Sequence, residues 1–257
     1  MEYRREVDQA TGNYYARHAA EVAARYGAMD TKGTRERFGE AFGGGGRIVD
    51  VGSGSGRDVA ALLAMGFDAY GFEPVAEMRA ECLRSYPELA GRILTQSLPL
   101  PAEPELEGQY DGVLCSAVFM HVPEAERFDA AFSLKRLLRE KGRLLISVPA
   151  ARPGLNEDNR DEMGRLFQPV HGEYLVLLFE RLGLHLLRRW EESDKLGREG
   201  VRWNTFLFEL DSARGRSLDR IERVINRGEL TAYRLGKRCT RVDLNELEDL
   251  MLGGGAA

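Results

Sequence analysis

The chain has 257 residues, of which 43% are hydrophobic and 30% are charged, so a disordered chain is excluded and one large α/β domain with appendages is expected. The formal net charge of -5 argues against general polyanion binding, although local basic patches remain compatible with it. The first residues have no apolar signal core, which predicts a soluble, reduced, cytoplasmic protein without a membrane segment. No metal-site spacing links the three cysteines, Cys82, Cys115 and Cys239.

The N-terminal segment TGNYYARHAAEVAARY predicts a helix, because small and aromatic side chains recur in it at helical spacing. The rings along it belong to Tyr14, Tyr15, His18 and Tyr26. Taken alone, this stripe predicts a helix that packs against the edge of a sheet. We assign residues 1–45 to N-terminal cap helices.

A glycine-rich stretch, VDVGSGSGRD, follows a buried strand predicted over residues 47–51. Its glycines alternate with other residues, at Gly52, Gly54 and Gly56. Glycine has no Cβ and adopts positive φ, so this spacing permits a tight turn and lets a ligand lie against bare main chain. A phosphate cradle uses N–H groups and cations, whereas Asp50 places an acid beneath the turn. The loop therefore favours a nucleotide-like ligand with a cationic part.

Apolar strands and helices alternate after this loop, as expected for an α/β sheet. Predicted strands cover residues 68–72, 92–95, 110–118 and 143–148, the last after a turn at Gly142. Predicted helices cover residues 58–65, 75–85, 123–138 and 173–182. Two further strands complete the pattern at residues 184–190 and 203–210. Residues 151–172 are polar and rich in glycine and proline, which predicts a loop, here termed the lid.

The C-terminal segment is basic in an otherwise acidic chain. Residues 212–241 carry nine lysine or arginine residues against three acids, with apolar side chains at helical spacing. We assign residues 212–257 to a basic helical extension that ends in a disordered tail. Two interpretations are open: the extension contacts nucleic acid or a phosphorylated substrate, or it docks on the domain as an amphipathic helix with solvated arginines.

The spacing of the glycines also separates two ligand classes. The dinucleotide fingerprint G-x-G-x-x-G requires a third glycine where this chain has Arg57. Asp50 and the alternating glycines instead resemble the first motif of the class I S-adenosylmethionine (SAM) dependent methyltransferases, and the resemblance extends over about residues 48–210. It implies a Rossmann-like α/β fold, with a seven-stranded, mostly parallel sheet, an antiparallel last strand and helices on both faces. We assign residues 46–211 to this domain.

The resemblance implies SAM as cofactor and S-adenosylhomocysteine (SAH) as product. Glu73 ends the second strand about twenty residues past the glycine loop, where an acid accepts hydrogen bonds from both ribose hydroxyls. Dehydrogenases use an acid in the same way, so Glu73 indicates a ribose-bearing cofactor but does not distinguish methyltransferases from dehydrogenases. Pro74 suits the first turn of the next helix. The predicted cofactor-binding residues are Tyr15, Asp50, Gly52, Ser53, Gly54, Gly56, Arg57, Glu73, Pro74, Gln96, Ser97, Leu98 and Ser116.

Two regions around the cofactor are assigned by the resemblance alone. In this family the segment after the third strand surrounds adenine, often with an Asp or Asn for its exocyclic amine; here Gln96, Ser97 or a main-chain N–H must serve. An N-terminal helix often covers the cofactor, with a tyrosine, here Tyr15, that reaches its carboxylate or the substrate. Arg17 and Arg57 are candidate partners of that carboxylate.

The tip of the fourth strand, CSAVFMHVP, is where the acceptor approaches in this family. Relatives that methylate base or glutamine amines carry Asn or Asp before Pro-Pro-Tyr there, whereas this chain has Ser116 and Ala117. His121 is a predicted catalytic base, since its ordinary pKa is near neutrality, with a structural role as the alternative. His171 in the lid is the second catalytic candidate. Methyl transfer is a displacement at carbon, so alignment and exclusion of water are its main requirements.

We predict an enzyme that moves a methyl group from SAM to an oxygen or nitrogen atom of a small-molecule acceptor. One alternative is a nucleic-acid methyltransferase or binding protein that uses the basic C-terminal segment. Another is a SAM-binding protein without transfer activity, because an obvious base is missing. We expect no metal, and the oligomeric state is open, with a homodimer as one option.

Overall fold

The computed structural model describes residues 8–29 and 32–211 and two short strands further on. It divides into two units, Met1–Asp211 and Ser212–Ala257. In the second unit the described part is an antiparallel strand pair, Ala232–Arg234 with Thr240–Val242, at positions where the sequence predicts a helix. Cys239 and the rest of the basic extension lie outside the described residues, so its proposed contact with nucleic acid stays a prediction.

A seven-stranded sheet forms the centre of the first unit. Its strands are β1 (Arg47–Val51), β2 (Asp68–Phe72), β3 (Ile93–Leu94), β4 (Tyr110–Ser116), β5 (Leu138–Ala151), β6 (Leu184–Ser193) and β7 (Arg202–Leu210). The spatial order is β3-β2-β1-β4-β5-β7-β6, with β1 to β5 parallel and β7 antiparallel to both of its neighbours. The predicted fold class is confirmed. The strand order reverses between β1 and β4, where the carboxyl ends of open sheets form a ligand crevice.

The described helices of this unit are α1 (Gln9–Arg17), α2 (Ala19–Gly27), α3 (Lys32–Phe42), α4 (Arg57–Ala64), α5 (Ala76–Ser85), α6 (Arg127–Leu137) and α7 (Gly172–Arg181). Two apolar clusters pack helices on the two faces of the sheet, and a third joins side chains of α1, α2 and α5. Successive strand residues point to opposite faces, so Val113 and Cys115 of β4 join one cluster and Leu114 joins the other. The first cluster includes side chains of α6 and α7, and the second includes side chains of α3 and α4.

Three predicted boundaries are wrong. The N-terminal helix breaks at His18 into α1 and α2. The helix after Pro123 begins with a 3-10 turn and ends at Leu137. No turn separates it from a strand at Gly142, because β5 already begins at Leu138 and runs through a bulge, in which Lys141 takes a φ of 62°.

The lid is irregular, as predicted. Its one isolated bridge joins Arg160 and Leu166, and the chain returns to helix only at Gly172. Among the described helices, none combines the length and apolar character that a bilayer crossing requires.

Candidate functional site

A cavity of about 310 Å³ lies at the carboxyl ends of β1, β2 and β4. Its walls come from the loops after these strands, from the N-terminal helices, from the lid and from the loop between β6 and β7. Thirteen of the fifteen predicted site residues line it: Tyr15, Asp50, Gly52, Ser53, Gly54, Arg57, Glu73, Pro74, Gln96, Ser97, Leu98, Ser116 and His121. Gly56 and His171 do not.

The glycine loop forms the floor of this cavity. The N–H of Gly52 donates to the carbonyl of Phe72 at 2.8 Å, which fixes the loop to the end of β2. Gly52 has a φ of 78°, and a Cβ there would lie 2.3 Å from Val118 Cγ2. Gly54 has a φ of 54°, but its Cβ would meet only Met78 Cε, at 3.7 Å. Gly52 is therefore required by packing, while Gly54 leaves its main chain open to the cavity.

Gly56 serves the packing of α4 rather than the cavity. It precedes the first residue of α4 with a φ of 76°. A Cβ at this position would lie 2.2 Å from Cys82 Sγ. Gly56 does not line the cavity, and α5 fills the space on its Cβ side, so its cofactor contact stays a prediction.

Asp50 lies just before the glycine loop, and its buried side chain is 3% exposed. Among the described residues, no hydrogen-bond donor reaches it. Burial, together with the negative charge of Asp58 and Glu73, raises its pKa well above the ordinary range, against the opposing effect of Arg57. A carboxylate in this setting gains from a cationic ligand, because such a ligand restores the charge balance that the protein lacks there.

Glu73 is also buried, at the tip of β2. Its Oε2 accepts the N–H of Gly54 at 2.9 Å, and its Oε1 accepts the N–H of Val75 at 2.8 Å. Burial raises the pKa of Glu73, although both N–H groups oppose this shift. Each oxygen keeps further acceptor capacity, so the carboxylate can receive two hydroxyl donors. Pro74 lies before Val75, which caps α5, and so precedes the first helical turn instead of belonging to it.

The polar groups after β3 and β4 are partly engaged within the protein. Gln96 Nε2 donates to Glu103 at 3.0 Å, so its side-chain oxygen is left for other donors. Ser97 Oγ contacts the Leu98 carbonyl at 3.4 Å. Ser116 Oγ and Ser147 Oγ are 3.3 Å apart. The site therefore offers hydrogen-bonding groups along the whole row of strand ends.

The two candidate arginines differ in their position relative to the cavity. Arg57 lines the cavity, but its Nε and Nη2 atoms pair with both oxygens of Asp58 at 2.8 and 3.0 Å. Arg17 is exposed and lies outside the cavity. The position of Arg17 does not favour contact with a carboxylate bound in the cavity. The Nη1 atom of Arg57 contacts the Tyr26 carbonyl at 3.4 Å and Met29 Sδ at 3.3 Å.

His121 is buried between α1 and the lid. Its Nδ1 is 2.5 Å from the carbonyl of Leu166, and a carbonyl can only accept, so the proton is on Nδ1 and Nε2 is the acceptor. The hydroxyl of Tyr15 donates to Nε2 at 3.4 Å. Burial lowers the pKa of His121 to about 4. The ring is neutral at physiological pH and a weak proton acceptor, which favours the structural alternative.

The stability of the protein should therefore fall in mild acid because of His121. The unfolded histidine takes up a proton near pH 6.5 and the folded one only near pH 4, so acid favours the unfolded state between these values. We expect a loss of up to about 1.4 kcal/mol per pH unit, measured by urea unfolding between pH 7.5 and pH 4.5. His121→Gln should remove this slope, whereas His185→Gln, at an exposed position on β6, should retain it. Equal slopes in wild type and His121→Gln would contradict the assignment.

The lid is fastened to α1 by a short network. Thr11 Oγ1 accepts the N–H of Leu166 at 2.9 Å and donates to Asp8 at 2.7 Å. Arg160 pairs with both oxygens of the same Asp8 at 3.0 and 2.9 Å. These contacts join residues about 150 positions apart and close the cavity over Tyr15.

His171 lines a second cavity of about 620 Å³. It is exposed and stands at the N-cap position of α7, where its side chain makes no capping hydrogen bond. Phe167 and Trp203 line both cavities and so form the partition between them. His121 lines the first cavity and His171 the second, so the two catalytic candidates lie in different cavities and the role of His171 stays a prediction.

Sequence reasoning missed the side chains that close the outer end of the first cavity. They come from the region around α2 and α3, the lid and the β6–β7 loop: Met29, Arg37, Phe38, Met120, Arg165, Phe167, Glu192, Asp194, Lys195, Arg198 and Trp203. One signal was present in the chain, because the pentapeptides DEMGR and DKLGR repeat the pattern Asp-x-x-Gly-Arg in two loops.

Similarity to known proteins agrees with this geometry. A family model described as a methyltransferase domain matches residues 15–188. An uncharacterized methyltransferase of Geobacillus thermodenitrificans is 30% identical over 109 residues, which is 41% of this chain and 47% of that protein. The ubiquinone biosynthesis O-methyltransferase of Pseudomonas aeruginosa is 28% identical over 157 residues, 60% of this chain and 61% of that one. The chain thus spans about half to three fifths of the length of these curated relatives.

Solved structures share the fold at low identity. The 1,6-didemethyltoxoflavin-N1-methyltransferase of Burkholderia thailandensis has a TM-score of 0.64 at 16% identity, over 79% of this chain and 88% of that one. A TehB-like SAM-dependent methyltransferase of Corynebacterium glutamicum has a TM-score of 0.55 at 23% identity, over 78% and 98%. Because the family model covers well over half of the chain, the protein belongs to the class I SAM-dependent methyltransferases, with S-adenosylmethionine as their cofactor.

Proposed function

We propose that this protein transfers the methyl group of SAM to an oxygen or nitrogen atom of a small-molecule acceptor. The observation that carries the proposal is the single cavity that joins Asp50 and Glu73, two buried acids that form no ion pair with a described residue, to a chamber walled by α1 and the lid. The names of two relatives, an O-methyltransferase and an N1-methyltransferase, support both acceptor atoms.

The unmet hydrogen-bonding groups of the cavity fit the cofactor. Ser53 Oγ is buried without a partner, and Asp50 lacks any described donor, so a ligand with ammonium and hydroxyl groups satisfies them. Asp50 would favour the cationic part, and Glu73 would accept the ribose hydroxyls. Gln96 and Ser97 would face adenine, with Leu98 beside them. Gly54 would let the ligand lie against bare main chain.

The reaction requires alignment more than proton removal. Bound SAM supplies an electrophilic methyl group and a sulfur leaving group. In the protein, burial raises the pKa of Tyr15 well above its ordinary value and lowers that of His121, so neither side chain is a strong base at neutral pH. We assign both as positioning residues, with the Tyr15 hydroxyl oriented by His121 Nε2. The walls that α1 and the lid contribute would shield the acceptor from water.

Calorimetric titration with SAM, SAH and NAD in parallel tests this proposal. We expect micromolar binding of both sulfur compounds and none of NAD, because Arg57 occupies the position of the third glycine in the dinucleotide fingerprint. A screen of acceptors with radiolabelled SAM then identifies the substrate. If neither SAM nor SAH binds, the proposal is wrong.

A further inference from the structure

Two loops at the outer end of the cavity fold into the same turn, Asp161 to Arg165 and Asp194 to Arg198. In the first, Asp161 Oδ1 accepts the N–H groups two and four residues later, at 3.1 and 3.0 Å. In the second, Asp194 Oδ2 accepts the corresponding groups at 3.1 and 3.0 Å. The glycines before the arginines have φ values of 81° and 69°, which permit the reversal. The hydrogen bonds of each turn therefore fix the backbone position of its arginine before any ligand binds.

Each arginine is clamped by the aspartate of its own turn. Arg165 donates from Nε and Nη2 to Asp161 at 2.9 and 2.5 Å. Arg198 donates from Nε and Nη2 to Asp194 at 3.0 and 2.6 Å. In both, Nη1 takes no part in the clamp. A guanidinium held in this way loses little conformational entropy when it binds a ligand.

An aromatic ring fixes the orientation of Arg165, and another fastens the turn that holds Arg198. The Arg165 guanidinium lies over the Tyr14 ring, 4.4 Å from its centroid, and its side chain is 11% exposed. Trp203 Nε1 donates to Asp194 at 2.9 Å and so fastens the second turn to β7. Both arginines line the cavity that contains Asp50. Their positions are therefore set by the fold rather than by a ligand.

A third arginine leaves this region with surplus positive charge. Arg152 lies over the Phe167 ring at 4.7 Å, and its Nη2 shares Asp161 with Arg165, at 3.6 Å. Its Nε is buried and has no hydrogen-bond partner. Burial and the charges of Arg198 and Arg165 lower the pKa of Arg152. Three arginines thus share two carboxylates beside the partition.

The charges of the cavity are separated between its two ends. Asp50 and Glu73, at the glycine loop, have no described cation within ion-pair distance. At the opposite end, Lys195 donates to Thr34 Oγ1 at 3.1 Å and pairs with no described carboxylate. The cavity therefore presents negative charge where the cofactor is proposed to bind and positive charge at the β6–β7 loop.

We infer that Arg165 and Arg198, supported by Lys195, bind an anionic group, a carboxylate or a phosphate, on the methyl acceptor. This inference rests on the proposed function and names its substrate class. Arginine binds both groups through N–H donors, and the Nη1 atoms of Arg165 and Arg198, which take no part in the aspartate clamps, supply such donors.

The test uses three probes on the full chain saturated with SAH: benzoate, phenyl phosphate and the neutral benzyl alcohol. We expect at least one anion to bind tenfold or more tightly than benzyl alcohol in calorimetry, and the stronger of the two identifies the group. Arg198→Gln and Arg165→Gln should each weaken that anion at least tenfold. Lys195→Gln, at an exposed position whose loss leaves the turn intact, should weaken it severalfold.

The matched control is Arg92→Gln, which removes an arginine that pairs with Asp68 on β2, outside the cavity. It should leave anion binding unchanged, and SAH affinity should stay within twofold in every variant. Loss of SAH affinity in Arg198→Gln would assign the arginines to the cofactor carboxylate and overturn the inference. Absence of anion binding to the SAH-saturated protein, or anion binding that none of the three cavity variants weakens, would also overturn it. Absence of SAH binding to wild type would instead remove the proposed function and this inference with it.

Discussion

Replacing Asp50 with asparagine is expected to weaken SAM binding at least tenfold, about 1.4 kcal/mol, while it stabilises the free protein at neutral pH. The substitution keeps the shape of the side chain and removes one buried negative charge. That charge attracts the cationic part of the ligand, and the free protein has no described donor to compensate it. Calorimetric titration with SAM and SAH measures the first effect, and urea unfolding measures the second.

The effect of Asp50 on the free energy of unfolding depends on pH in a defined direction. Burial raises the pKa of Asp50 in the folded protein, so the folded state holds its proton above pH 3.8, where the unfolded carboxyl has released it. Stability contributed by this group therefore falls as pH rises through the raised pKa. The advantage of Asp50→Asn should be present at pH 7.5 and absent near pH 3.5, where both side chains are neutral.

Two further variants place limits on this result. Glu73→Gln should also weaken SAM at least tenfold, because one carboxylate oxygen that would accept a ribose hydroxyl becomes a donor. Asp68→Asn removes an exposed carboxylate at the start of β2, outside the cavity, and should change affinity less than twofold. If SAM affinity is unchanged in both Asp50→Asn and Glu73→Gln, the assignment of the cofactor site is wrong.

The inner half of this site could be predicted from the sequence because it depends on chain order. In a parallel sheet, the carboxyl ends of the strands lie at one edge, so Asp50 near the end of β1 and Glu73 directly after β2 are brought together by topology alone. The apolar runs that define those strands are visible in the sequence. The positions of these two acids therefore needed no knowledge of tertiary packing.

The outer half depends on contacts between distant residues, which no local pattern records. Thr11 meets Leu166, and Arg37 pairs with Glu192; neither pair has a spacing that periodicity can detect. The fate of His171 was missed for the same reason, since the partition that separates it from His121 is formed by side chains of the lid and β7. Among the residues of the outer half, only the two Asp-x-x-Gly-Arg turns could be recognised in the sequence, because their pattern is repeated.

The three glycines of the loop look equivalent in the sequence, yet Gly56→Ala should destabilise the fold far more than Gly54→Ala. At Gly56 the new side chain meets a φ of 76° and lies 2.2 Å from Cys82 Sγ and 2.9 Å from Leu89 Cδ1. Backbone strain of about 1–2 kcal/mol and overpacking of about 1–3 kcal/mol add to a loss of about 2–5 kcal/mol. Urea unfolding of the free protein at neutral pH measures it.

Gly54→Ala isolates the backbone strain, because its Cβ makes only an ordinary contact with Met78. Its loss should be about 1–2 kcal/mol, and its larger effect should be on SAM affinity, since the methyl group enters the cavity. Combining Gly56→Ala with Cys82→Ala removes the closest clash and should recover part of the stability, while the strain of the positive φ and the Leu89 contact stay. Equal destabilisation by the two glycine variants, or no recovery in the double variant, would mean that α5 does not set the requirement for Gly56. The alternating glycines would then act as one flexible loop. The geometry instead indicates that Gly56 is needed for packing and that Gly54 leaves space for the ligand.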